Sequence, residues 1–226
     1  MRARVKVLAI DVGGTNVKVL ASGQKEARKF PSGPGLTPRK MVAGVKALTK
    51  DWKYDVVSIG YPGVVRGGRI AVGPFNLGKG WVGFSFRTAF RRPVRVVNDA
   101  VMQALGSYRG GTMLFLGLGT GLGTALVVNG HLVPLELGHF PFGKKTIEDY
   151  LGTRGLETVG RARWRKLVGE IAQELVAAFL ADDVVLGGGN VKKLDRIPKG
   201  CRAGANANAF LGGFRLWEDD RRRARS

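Results

Sequence analysis

The sequence predicts an α/β protein built as two lobes, and three observations carry that expectation. Strand-like β-branched runs alternate with amphipathic helical ones along the chain, the pattern of a sheet with covering helices. Two segments, residues 8–21 and 113–128, share one design of strand, glycine-rich turn and strand. Their turns fall at strand ends, where open α/β sheets bind ligands. The expected lobes are residues 1–110 and 111–202, with a cleft between them. A last helix at 203–216 is expected to cross back to the first lobe, and a basic tail at 217–226 to be disordered.

The first unit is LAIDVGGTNVKVLA, in which Asp11 closes one β-branched run and Gly13, Gly14, Thr15 and Asn16 turn the chain into the next. Glycines there let backbone N–H groups face an anion, though the stretch alone fits an unliganded hairpin equally well. PSGPGLTP at 31–38 is a loop, and residues 39–50 form a helix with Met41, Val42, Val45 and Leu48 on one face. DVVSIGYPG at 55–63 is a strand running into a turn, and 68–81 is too rich in Gly and Pro for regular structure. A short helix over 84–90 precedes strand VRVV at 94–97, which ends at Asn98 and Asp99. Asn98 can cap the next helix, whose inner stripe is Val101, Ala104 and Leu105.

Residues 113–128 repeat the opening design, an internal duplication at the level of folding units. HLVPLELGHFPFG at 131–143 reads as an irregular polar loop. Helices follow at 146–151 and 162–181, the longer one with Leu167, Val168, Ile171, Leu175, Val176 and Phe179 at helical period. DVVLGGGNVKKL at 183–194 is a strand, a triple-glycine turn and a short helix. The final helix is apolar at Ala207, Phe210, Leu211 and Phe214.

A chain of 226 residues can bury a full core. No apolar run has the length of a membrane span. Lys6 interrupts the apolar part of MRARVKVLAI and Asp11 ends it, so this reads as a first strand and not an export signal. Cys201 is the single cysteine, which excludes an internal disulfide and a cysteine zinc cluster. These features point to the cytoplasm. The net charge of +20 attracts polyanions: nucleic acid, an anionic membrane or a polyphosphate substrate. The excess is spread over Arg91, Arg92 and Arg95, Lys144 and Lys145, Arg161 to Lys166, Lys192 and Lys193, and the tail. So wide a spread fits a solvated surface as well.

Together the turns supply parts for phosphoryl transfer, which needs phosphate positioning, charge neutralisation by Mg²⁺ and a base for the attacking hydroxyl. The first turn offers Gly13, Gly14 and Thr15; the second offers Gly117, Gly119, Gly121 and Gly123 with the hydroxyls of Thr120 and Thr124. Gly187, Gly188 and Gly189 form a third place for close ligand approach. No GxxxxGK[ST] pattern occurs, and the 117–123 glycines lead into a strand and not a helix, so neither a P-loop nor a dinucleotide reading fits well. Asp99 is the candidate base, a carboxylate at a strand end; a plain helix cap is the competing role. Glu136 and His139 can face one ligand from a punctuated loop. A structural hydrogen bond competes for His139, and a His/Glu metal site lacks a third ligand nearby.

DVGGTNVK (11–18), SIGYPGVV (58–65), FNLGKGW (75–81), VVNDA (96–100), LGTGLGTALVVNG (118–130), LELGH (135–139) and LGGGNVKKL (186–194) resemble, in this order, the ROK family (repressors, open reading frames, kinases), and within it the polyphosphate glucokinases. The resemblance spans residue 7 to about 215. It implies a two-lobed, actin-like and ribonuclease-H-like sugar kinase fold that closes over a hexose, and commonly a homodimer. By the same resemblance, Asp99 would take the proton of the sugar 6-hydroxyl. Asn98, Glu136 and His139 would hold other hydroxyls, with Asn76, Gly60 or Gly63, and Glu148 nearby. Asp11, Gly13, Gly14, Thr15 and Lys18 would form the first phosphate loop, with Asp11 an indirect contact for Mg²⁺. Gly119, Thr120 and Gly121 would form the second, and Gly187 to Gly189 would lie by a nucleotide.

Many relatives carry a cysteine-rich zinc motif after the GH step, but here GKKTIEDYLG has no Cys, so no zinc site is expected. Polyphosphate glucokinases also lack that motif, and RARWRKLVGEIAQEL (161–175) resembles their basic Trp-containing helix. The first phosphate strand begins so early that no DNA-binding helical domain is expected before it. The implied activity is 6-phosphorylation of a hexose, glucose foremost, from polyphosphate, ATP or both. Mannose or an N-acetylhexosamine is an alternative sugar. A nonenzymatic polyanion or nucleic-acid binder on the same scaffold would explain the charge, but not the joint presence of Asp11, Asp99, Glu136 and His139.

Overall fold

The structure, a computed structural model, describes residues 5–218. It forms two compact units. One contains the chain up to Met102 together with Ala209–Glu218, and the other contains Gln103–Asn208. The sequence reading places these boundaries at 110 and 202; the compact units instead change over inside two helices.

In the first unit β1 (Val7–Val12) and β2 (Asn16–Ala21) form the opening hairpin, followed by β3 (Arg28–Pro31). Helix α1 (Pro38–Leu48) leads to β4 (Val56–Tyr61), a small ribbon of β5 (Val65–Arg66) and β6 (Arg69–Ile70), α2 (Phe86–Phe90), β7 (Val94–Asn98) and the start of α3 (Asp99–Ser107). The sheet order is β3-β2-β1-β4-β7. β2 runs antiparallel to β1 and β3, while β4 is parallel to β1 and β7. Every residue of the central β4 is buried, whereas β2 alternates, as a strand covered on one face must. Thr37 caps α1 through the Lys40 amide, with Pro38 in the first turn where its missing N–H costs nothing. Met41, Val42 and Val45 carry that helix onto a core with Leu8, Ile10, Ile59 and Trp81.

The second unit holds β8 (Thr112–Leu118), β9 (Leu122–Val128), β10 (His131–Leu135), the ribbon β11 (Pro141–Phe142) and β12 (Lys145–Thr146), and helices α4 (Ile147–Leu151), α5 (Thr153–Val159) and α6 (Arg161–Phe179). It continues through β13 (Asp183–Gly187) and β14 (Cys201–Ala203) as far as Asn208, the first residue of α7 (Asn208–Arg215), whose remainder belongs to the first unit. Its sheet order is β10-β9-β8-β13-β14, with β8 antiparallel to β9 and parallel to β13. Each unit is thus an antiparallel three-strand meander extended by two parallel strands. α6 packs its face through Trp164, Leu167, Val168, Ile171 and Leu175. Buried Trp164 donates its indole N–H to Leu151 O at 3.0 Å, which makes a large buried ring affordable.

Several elements differ from the sequence reading. Residues 131–135, expected in an irregular loop, form edge strand β10, whose exposed side chains show no alternation and whose Pro134 is tolerated at an edge. β3 and α5 were not visible in the pattern. The last helix begins at Asn208, after β14, and buries Ala209, Phe210, Gly212 and Gly213, while Leu211 is exposed. Glycine replaces bulk there because Gly213 lies against β1: a Cβ on it would meet Ala9 Cβ at 2.6 Å. Ser58 Oγ donates to Gly213 O at 2.6 Å and accepts from Trp217 Nε1 at 2.9 Å, and Arg95 stacks over Trp217 at 4.5 Å. Trp217 is therefore anchored rather than part of a loose tail; the remainder of the expected tail, 219–226, lies outside the described residues. No helix among the described residues is long and apolar enough to cross a membrane.

Gly213→Ala should lower stability by about 1–3 kcal/mol, the usual cost of forcing a methyl into a packed contact. Urea unfolding of the two proteins measures it, and an unchanged midpoint would contradict the tight α7–β1 packing.

Candidate active site

Asp11, the penultimate residue of β1, stands opposite Lys18 of β2 in the ladder, with its carboxylate 4.0 Å from the ammonium and only 13% exposed. Burial pushes the Asp11 pKa up, and Lys18 opposes that rise. The hairpin tip is closed by Gly13 N–H donating to Asn16 O at 3.0 Å, and Gly14 and Thr15 are exposed. Ser32 braces the turn from behind, donating Oγ to Gly13 O at 2.6 Å and its N–H to Thr15 O at 2.9 Å. Asn76 belongs to the same place: a Cβ on Gly14 would stand 3.8 Å from Asn76 Cβ.

At the same end of this sheet β7 delivers Asn98 and Asp99. Asn98 Oδ1 accepts from the amides of Ala100 at 2.8 Å and Val101 at 3.3 Å, capping α3, and its Nδ2 donates to Gly63 O at 3.1 Å. The capping role therefore falls to Asn98. Asp99 opens the helix, where the positive end of the dipole favours a carboxylate, and its Oδ1 accepts from Ala100 N at 2.9 Å. Gly60 permits this approach of β4, since a Cβ there would meet Met102 Cε at 2.5 Å and Asp99 Cα at 3.4 Å.

In the second unit the turn between β8 and β9 is shorter than its glycines imply. Gly117 and Gly123 pair with each other in the ladder, leaving Gly119, Thr120 and Gly121 as the turn, with Gly119 N–H donating to Gly121 O at 3.1 Å. Thr124 does not contribute its hydroxyl to the turn. It is buried, donates to Leu135 O at 2.9 Å and accepts from Leu137 N at 3.1 Å, so it holds the backbone on both sides of Glu136. Asn190 and Thr153 grip the turn: Asn190 Nδ2 and Thr153 Oγ1 each donate to Gly119 O at 3.0 Å. The triple glycine lies against it as well, for Gly188 has φ +84° and a Cβ on it would be 2.4 Å from Leu118 O.

The ROK family model matches residues 7–155. The chain belongs to the ROK family. Over 209 residues it is 27% identical to a polyphosphate glucokinase of Mycobacterium tuberculosis, covering 83% of this chain and 78% of the relative. It is 29% identical over 158 residues to a glucokinase of Pyrobaculum calidifontis, covering 59% of this chain and 49% of that one. Its fold is similar to the inorganic polyphosphate/ATP-glucomannokinase of Arthrobacter sp. strain KM, with a TM-score of 0.78 at 22% identity over 93% of this chain and 97% of that one. A ROK glucokinase of Streptomyces griseus, solved with glucose and AMPPNP, matches with a TM-score of 0.71 at 18% identity over 93% and 98% of the two chains. The chain is a sugar kinase of the ROK type with the two-lobed actin-like fold.

Within this ROK chain, Glu136 and His139 are exposed and share one 3-10 turn (Leu137–His139), closed by His139 N–H donating to Glu136 O at 3.1 Å. Neither side chain is held by another among the described residues, which leaves both free for a ligand. Glu148 has a bracing contact: Oε2 accepts from Leu122 N at 2.8 Å, directly beneath Gly121 and Gly138, where Cβ atoms would lie 2.4 and 3.3 Å from it. Ser32, Thr153 and Asn190 escaped the sequence reading. Asn190 carried the clearest signal, since it follows the triple glycine directly.

Because the folded-state pKa of Asp11 is raised, its ionisation on folding opposes stability once the pH exceeds its ordinary value. Asp11→Asn should therefore unfold at higher temperature than the wild type at pH 7 but not at pH 3. Thermal melts at the two pH values give the comparison, and equal gains at both would show that burial of the charge is not the cause.

Proposed function

We propose that this ROK chain is a hexose 6-phosphotransferase, with glucose the foremost sugar and inorganic polyphosphate, ATP or both as donor. The observation that carries the reading is the pair of glycine turns, each braced from behind with its tip left to a ligand, in a chain whose curated relatives over most of its length are polyphosphate glucokinases. The net charge favours polyphosphate, because a long polyanion gains affinity from many weak cationic contacts and the counterions they release.

Asp99 is the base in this reading. It accepts the proton of the sugar 6-hydroxyl as the oxygen attacks the terminal phosphorus and the bond to the remaining donor breaks. Asn98, locked by its cap and by Gly63 O, fixes the backbone beside Asp99 and offers its second amide hydrogen to the sugar. Asn76, Gly63, Glu136, His139 and Glu148 complete the sugar's surroundings. Asp11, Gly13, Gly14, Thr15 and Lys18 serve one part of the phosphate chain; Gly119, Thr120, Gly121 and Gly187 to Gly189 serve another.

The donor set suits magnesium. Asp11 offers a hard carboxylate oxygen that would hold Mg²⁺ indirectly, through the waters this ion usually keeps, with phosphate oxygens of the donor as its other partners. When bound, the ion would neutralise charge developing on the transferred phosphoryl group. A homodimer, a cytoplasmic setting and the absence of zinc belong to the same proposal. Mannose stands as a second sugar, because the Arthrobacter neighbour is named a glucomannokinase.

A matrix of donors (ATP, long-chain polyphosphate) against sugars (glucose, mannose, N-acetylmannosamine) tests the reading; no turnover in any cell would reject it. Asp99→Asn should lower kcat by about 10²–10⁴-fold while glucose binding by calorimetry stays within a few-fold. Turnover close to wild type would remove Asp99 as the base. Raising salt from about 50 to 200 mM should raise KM for long-chain polyphosphate by at least tenfold and leave that for glucose nearly unchanged; a flat response would sink the polyanion argument.

A further inference from the structure

The first unit has an open cavity of about 660 Å³ at the end of its sheet remote from the catalytic residues. Five cationic side chains line it: Lys46, Lys50 and Lys53 from the end of α1 and the chain that follows, and Arg91 and Arg92 from the turn after α2. All five are exposed, and none forms an ion pair among the described residues. The single lining carboxylate is Asp55, whose Oδ2 already accepts from the Lys6 amide at 2.9 Å. Asp51, whose carboxylate feels Lys50, is taken up by Arg28 through two hydrogen bonds of 2.5 and 2.8 Å. Five cations against the one carboxylate of Asp55 leave the wall with an excess of four positive charges.

Trp52, Tyr54 and Phe90 also belong to its wall, and Trp52 and Phe90 are buried. Arg28 stacks on the Trp52 ring at 4.2 Å and also donates to Leu48 O, which fixes the wall from behind. The indole N–H of Trp52 is buried without a hydrogen-bond partner, alone in this among the buried side-chain donors and acceptors of the described residues. An unmade donor of this kind is costly, and it belongs to a residue of the cavity wall.

Position separates this cavity from the catalytic machinery. Asp55 immediately precedes β4 and Arg92 is two residues before β7, whereas Gly60 and Asn98 are at the far ends of those strands. Six residues of strand put roughly 20 Å between the two ends. A concave wall concentrates the field of its charges, and five cations around one hollow match a ligand with several negative charges better than a single phosphate. The volume is that of a small-molecule site.

We propose that this cavity is a second anion site, separate from the catalytic one, that binds an oligophosphate group. Free inorganic oligophosphate and the phosphate tail of a nucleotide share that chemistry. The inference does not depend on the donor used in catalysis.

Calorimetric titration with tripolyphosphate tests it on the whole chain, comparing wild type with the triple variant Lys50→Glu, Lys53→Glu, Arg92→Glu. A matched control, Lys25→Glu, Lys29→Glu, Lys199→Glu, makes the same change in net charge at exposed positions elsewhere. The cavity variant should lose one class of binding site, or bind there at least tenfold more weakly, while the control stays within about twofold. Equal isotherms for wild type and cavity variant, or equal weakening in cavity variant and control, would overturn the proposal. Competition separates the sources: displacement by ATP admits the nucleotide tail, and failure of ATP to compete leaves free oligophosphate. Displacement by adenosine as effective as by ATP would show that the base and not the phosphates is recognised, and would also overturn it. Because the readout is binding, an enzyme without kinase activity would still give a clear answer.

Discussion

Backbone meets backbone at the ends of these strands with no room for a Cβ, and the phosphate turns depend on that contact. Gly188 lies so close to Leu118 O that a methyl would overlap the carbonyl, and its positive φ already excludes most side chains. Gly60 allows β4 to pass beside the first turn of α3, and Gly213 allows α7 to rest on β1. Where side chains are removed, the surrounding polar groups take over the positioning: Ser32 behind the first turn, Asn190 and Thr153 behind the second. The tips are left accessible because their bracing comes from the other side.

The strands that make the centre of each sheet were legible because they are buried on both faces and so read as continuous β-branched runs, as in VVSIGY. α1 and α6 were legible for the complementary reason, a helical period of apolar residues ending on a core. Edges carry neither signal. β10 is exposed along most of its length and β14 has three residues, so neither imposes a pattern on its sequence. The final helix misled in part: Phe210 is buried as its hydropathy indicates, but the rest of the buried face is Ala209, Gly212 and Gly213, small for closeness, while Leu211 is exposed.

The same distinction applies to the site. Glycine clusters and the Asn98–Asp99 pair announced themselves, since their residue types are unusual at strand ends. The division of labour within them did not. Thr124 looks like a turn hydroxyl in GLGTGLGT, but pairing of Gly117 with Gly123 shortens the turn and commits Thr124 to the segment around Glu136. Supporting residues such as Ser32 are distant in sequence from what they support, and only the register of β2 with β3 brings it to Gly13.

Glu148 joins two parts of the second unit that the chain makes separately. Its carboxylate receives the Leu122 amide at the end of the glycine turn and packs beneath Gly138, one residue before His139. The turn and the 3-10 segment thus rest on one and the same carboxylate. Removing that carboxylate would leave the Leu122 amide without its acceptor and open space beneath both glycines at once.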